Sequence, residues 1–74
     1  MSEDKVRLID VTINGTGRSF ESGLSITELL SEIGAPKEAI AVALNESIVT
    51  RALWPQILLS DGDKVEVVTI YQGG

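Results

Sequence analysis

Between Ser25 and Pro36 the chain carries the signals that start and stop one short helix, and this segment limits the fold more than any other. Ser25-Ile26-Thr27-Glu28 is a capping box, in which the serine hydroxyl accepts from the third helical N–H and the glutamate reaches back to the serine N–H. Leu24 and Leu29 fall at the two positions of a hydrophobic staple. Ile26, Leu29, Leu30 and Ile33 recur at i, i+3, i+4 and i+7, which lines one face with apolar groups. Gly34 supplies a residue that turns left-handed without strain, and Pro36 prevents continuation. The spacing predicts a helix of about nine residues.

The flanking segments follow a period of two. Val11 and Ile13 alternate with Asp10, Thr12 and Asn14, the pattern of a half-buried strand. Val6 and Leu8 fall on the opposite face from Ile9, so the strand starts after them or bulges there. Asn14-Gly15-Thr16-Gly17 is a hairpin signal, because Asn and Gly tolerate positive φ. Residues 18–21 then form the return strand, with Phe20 as its core anchor.

Beyond the helix, Ile40, Val42 and Leu44 alternate with Ala41 and Ala43, and Asn45-Glu46-Ser47 turns into the short strand Ile48-Val49. Residues 51–55 close as at most one helical turn on Trp54, which reads as core. Asp61-Gly62-Asp63 is a tight turn before a last strand over 64–70. In that strand Val65 and Val67 share one face, and Glu66, Val68 and Ile70 the other.

Strand, strand, helix, strand, short strand, strand is an α+β order. One helix must cover one face of a mixed sheet of four or five strands, with the first and last long strands adjacent at its centre. That arrangement is a β-grasp, a ubiquitin-like roll. SH3-like and OB barrels are the runners-up, and the early helix counts against both. The expected organisation is a flexible N-terminal extension at 1–8, one domain over 9–70 and a flexible C-terminal arm at 71–74.

Composition narrows the chemistry. Eleven acidic residues against six basic ones leave a net charge of −5, which disfavours nucleic acid and anionic membrane and suits a basic protein surface. No apolar run approaches the roughly 20 residues of a membrane-spanning helix, and Met1-Ser2-Glu3-Asp4-Lys5 lacks the form of a secretory leader, so a cytoplasmic location is expected. The chain has no Cys and no His, which removes the thiolate nucleophile, the zinc thiolate and the commonest general base. So short a chain is also poorly able to enclose a ligand cavity of roughly 300 Å³. The expectation is a non-enzyme with no catalytic residue and no metal site. Asp61 and Asp63 are too few for a calcium loop, and Gly15-Thr16-Gly17 is a hairpin turn rather than a phosphate cradle.

The last strand runs on into Tyr71-Gln72-Gly73-Gly74. Four extended residues reach roughly 13 Å, enough to carry a carboxylate off the sheet into another protein's active site. Two residues without Cβ suit a narrow channel. The stretch Ala43-Leu44-Asn45, Ile48-Val49, Arg51, Trp54, Leu59, Asp61-Gly62-Asp63, 65–69 and Gln72-Gly73-Gly74 resembles the ThiS family, the sulfur carriers of thiamine biosynthesis and relatives of the MoaD carriers of molybdopterin synthesis. Val11-Thr12-Ile13-Asn14-Gly15 and Glu28-Leu29-Leu30 match more loosely, and together the likeness spans about residues 9 to 74. The chain departs from the pattern in its first eight residues, in Glu46 where the family favours Gly, and in Thr50 where Pro is frequent.

The resemblance implies that the Gly74 carboxylate is adenylated with ATP by a partner like ubiquitin-activating enzymes. A persulfide donor then converts it to a thiocarboxylate, and a thiazole synthase receives the sulfur. ATP and magnesium belong to the partner, so no cofactor is expected on this chain. Gly73, Gln72 and Tyr71 form the arm, and Val68, Ile70 and Arg51 are the expected docking residues. Two other outcomes share these features: sulfur delivery to molybdopterin or another product, and a ubiquitin-like modifier joined to lysines through Gly74. A monomer is expected for the free chain.

Overall fold

The computed structural model describes residues 7–36, 38 and 40–69. Of the expected extension at 1–8, residues 1–6 lie outside the described residues, as do Ile70 and the arm at 71–74.

The helix forms where its signals place it. Helix α1 spans Ile26–Ile33. The Ser25 hydroxyl accepts from the Glu28 N–H at 3.1 Å, and the Glu28 carboxylate accepts from the Ser25 N–H at 2.9 Å. At the other end Gly34 has φ 74°, with its N–H donating to the Ser31 carbonyl and the Ala35 N–H donating to that of Leu30. This is a Schellman closure, which satisfies carbonyls the helix leaves open.

Five strands form one sheet: β1 Leu8–Ile13, β2 Thr16–Glu21, β3 Ile40–Leu44, β4 Ser47–Val49 and β5 Lys64–Thr69, in the order β2-β1-β5-β3-β4. The β1–β5 pair is parallel and the other three are antiparallel. The first and last strands are therefore adjacent at the centre, and the fold is the expected β-grasp.

The strand β1 begins at Leu8, one residue before the expected start, and it carries no bulge: Leu8 pairs with Glu21 in an unbroken register to Ile13 and Thr16. Pairing is a backbone property. Leu8 joins the ladder while its side chain lies exposed on the face away from the helix, which is why apolar parity missed it. The strand β2 likewise starts at Thr16, before its apolar anchor Phe20.

The core lies between the sheet and α1. Ile9, Val11, Ile13, Phe20, Ile40, Val42 and Val65 from the sheet meet Ile26, Leu29 and Leu30 from the helix, with Trp54 and Leu59 from the connection before β5. Burying each such side chain contributes about 1.5–3 kcal/mol. Leu24, Ile33, Leu44 and Val67 pack at its margin. The chain after β4 makes a single 3-10 turn, Arg51–Leu53, which delivers Trp54 to the core. Trp54 is fixed there by donating its indole N–H to the Val49 carbonyl at 3.1 Å.

Candidate functional site

The strand β5 is the last described element and the one from which the sequence runs on toward Gly74. Its entry is pinned on both flanks by Asp61-Gly62-Asp63. Toward β1, the Asp61 carboxylate accepts from the Asp10 N–H at 2.7 Å, and the Gly62 N–H donates to the Asp10 carbonyl at 2.7 Å. Gly62 has φ 88°, a conformation that side chains disfavour. Toward β3, the Asp63 carboxylate accepts from the Ser60 N–H at 2.7 Å and from the Asn45 carboxamide at 3.1 Å. The two aspartates are acceptors for N–H groups, which is the turn role the sequence suggests.

Two asparagines grip β5 further. The Asn45 side-chain oxygen accepts from the Lys64 N–H at 2.9 Å, and the Asn45 N–H donates to the Lys64 carbonyl at 2.8 Å. The Asn14 side-chain oxygen accepts from the Val67 N–H at 2.8 Å, its NH₂ donates to the Val67 carbonyl at 3.2 Å, and its backbone N–H donates to the Val65 carbonyl at 2.9 Å. Sequence reasoning missed both grips. The Asn-Gly and Asn-Glu pairs marked turns, but nothing in the local pattern tied either side chain to a strand far along the chain.

The face of β5 away from the helix is open. Val68 stands there 57% exposed, directly opposite Ala41 on β3. Ala43 follows on the same face of β3 and is paired with Ile48 of β4, itself 74% exposed. These four residues make an apolar strip across three strands, with Glu66 and the Lys64–Glu46 ion pair (3.6 Å) on the same face. Ile48 was not among the expected docking residues; its place across from Ala43 puts it in the strip.

The expected site residues are thus distributed. Val68 lies on the open face beside the exit of β5. Arg51 is on the 3-10 turn beyond the edge strand, exposed, with its guanidinium 5.1 Å from the centre of the Trp54 ring, so it stacks on a core residue. Ile70, Tyr71, Gln72, Gly73 and Gly74 lie outside the described residues. Among the described residues, no helix is long and apolar enough to cross a membrane.

The ThiS family profile matches residues 11–74. The chain belongs to the ThiS family. A sulfur carrier protein ThiS from Thermus thermophilus is 42% identical over 64 residues, covering 86% of this chain and 98% of that protein. A thiazole synthase from Paramagnetospirillum magneticum is 36% identical over 64 residues; these are 86% of this chain but 20% of the synthase, so the likeness is to one segment of that larger protein. The crystal structure of the thiamine biosynthesis protein ThiS from Geobacter metallireducens superposes with a TM-score of 0.78 at 32% identity, covering 89% of this chain and all of that one. The β-grasp, the matched profile and the full-length relatives agree: this is a ThiS family sulfur carrier of thiamine biosynthesis, a carrier and not an enzyme.

Proposed function

We propose that the chain carries sulfur as a thiocarboxylate on Gly74 and delivers it to a thiazole synthase. A carboxylate is a poor acyl electrophile, so it must first be activated. Its oxygen attacks the α-phosphorus of ATP on an adenylyltransferase, pyrophosphate leaves, and an acyl adenylate results. The terminal sulfur of a persulfide attacks the acyl carbon and expels AMP. A thiol then cleaves the S–S bond of the acyl persulfide, releasing the thiocarboxylate and a disulfide. ATP and magnesium are handled by the partner. The absence of Cys fits this role, since no internal thiol competes for the activated carbonyl.

The observation that carries this reading is that the family match runs through residue 74, so Gly73-Gly74 falls inside it. The thiazole synthase that contains a segment like this chain supports such a synthase as the acceptor. The strip of Val68, Ala41, Ala43 and Ile48 is where the adenylyltransferase docks, and the net charge of −5 suits a basic rim on that partner. Arg51, already stacked on Trp54, offers its exposed edge to the same partner.

Labelled sulfur tests the proposal. With ATP, a persulfide donor, the adenylyltransferase and thiazole synthase, the label is expected to pass from donor to chain to thiazole, and a variant lacking Gly74 takes up none. Label that reaches a molybdopterin synthase product instead would change the acceptor. Heavier adducts through lysine, with no sulfur on the chain, would overturn the carrier reading in favour of a modifier.

A further inference from the structure

The strand β5 outlasts its partner on one side. Among the described residues, β1 pairs with it only at Thr12–Lys64 and Ile13–Val65, then turns away at Asn14-Gly15. On the other side β3 stays paired as far as Ile40–Thr69. Successive residues of a strand direct their N–H and C=O to alternate sides. The carbonyls of Asp63 and Val65 accept from Thr12 and Asn14, so Val67 also faces the β1 side, past the point where β1 has ended.

Asn14 fills that gap. A carboxamide presents the same acceptor and donor as a peptide group, and both are used on Val67. The side chain therefore serves as one more residue of β1 while the backbone, at φ 50°, turns into the hairpin. We propose that Asn14 is a positioning residue for the carrier strand: its clasp on Val67 holds the β1 side of β5 two residues past Val65, the last residue that β1 pairs with, and so fixes the end of the strand from which the chain runs on toward Gly74. This rests on the sulfur carrier reading. Without the clasp, β5 is held on that side only back to Val65, and Val67 must be ordered afresh each time the strand is presented to the partner.

The test compares two glycine variants, because glycine accepts the positive φ that alanine does not. Asn14→Gly removes the clasp on Val67; Asn45→Gly removes the bonds of its carboxamide to Lys64 and Asp63, at a place the bonds of Asp61 to Asp10 and of Asp63 to Ser60 still hold. With the adenylyltransferase, ATP and the full chain, well below either melting temperature, Asn14→Gly is expected to lower kcat/KM roughly tenfold, through KM. Asn45→Gly should stay within about twofold of the unaltered chain. Amide exchange should accelerate at Val67 in Asn14→Gly while Val11 and Val42 keep their protection. Asn14→Asp, which keeps an acceptor for the Val67 N–H and loses the donor, should fall between. Equal kinetic losses in the two glycine variants, or a Val67 amide still protected in Asn14→Gly, would overturn the proposal. Failure of the unaltered chain to be activated would instead overturn the carrier reading itself.

Discussion

The two hairpin turns of this chain have nearly the same backbone and do different work. Asn14-Gly15 joins β1 to β2 with φ values of 50° and 86°; Asn45-Glu46 joins β3 to β4 with 50° and 73°. Both are two-residue loops of the mirror-image kind that suits the twist of a hairpin. Both open with an asparagine that bonds β5 from opposite sides. The first turn, however, grips the strand at Val67, where β1 no longer pairs, while the second grips Lys64, where an aspartate turn already anchors the entry. The second also puts Glu46 in a conformation that Gly15 occupies without cost. One turn is therefore optimised for its backbone and tied to the exit of the carrier strand. The other tolerates strain and is tied to the entry.

The largest effect expected of a single change in either turn comes from replacing its asparagine with alanine. Asn14→Ala and Asn45→Ala each put alanine, which tolerates the left-handed region less well than asparagine, at φ 50° and remove two side-chain hydrogen bonds, a loss of about 2–3 kcal/mol. In a domain this small that lowers the melting temperature by roughly 10 °C or more. Thermal melts that leave either variant unchanged would break the equivalence of the two grips. Next is Gly15→Ala, for which no heavy atom lies near the new Cβ, so that the penalty is the backbone alone, about 1–2 kcal/mol in urea unfolding.

Glu46→Gly should go the other way, stabilising by about 0.5–1 kcal/mol even though the ion pair with Lys64 is lost. A destabilised Glu46→Gly would show that the charge outweighs the strain. The smallest effect concerns that ion pair itself. Both partners are exposed, so raising salt from low ionic strength to 1 M should change the stability difference between Glu46→Gln and the unaltered chain by less than about 0.5 kcal/mol.

Legibility in the sequence followed the range of the interaction. Both caps of the helix were readable to the residue, because Ser25, Glu28, Gly34 and the apolar stripe act within a few positions of one another. The core strands were readable from alternation, and Phe20 and Trp54 stand where their size and isolation suggested. Leu8 and Thr16 were lost at strand ends because pairing there is carried by backbone, with side chains facing outward. The grips of Asn14 on Val67 and of Asp61 on Asp10 join residues 53 and 51 positions apart, and no local pattern encodes them. Of the candidate site, Val68 was legible from strand parity, whereas Ile48 entered only through its register with Ala43.

The central claim is that the reactive group is the Gly74 carboxyl, offered to partner enzymes by a scaffold that does no chemistry of its own. Intact-mass measurement with fragmentation of the C-terminal peptide, after incubation with ATP, a persulfide donor and the adenylyltransferase, tests it most directly. The account predicts that one oxygen is replaced by sulfur and that fragmentation assigns the change to Gly74. An unaltered mass, or sulfur found on any other residue, would contradict it.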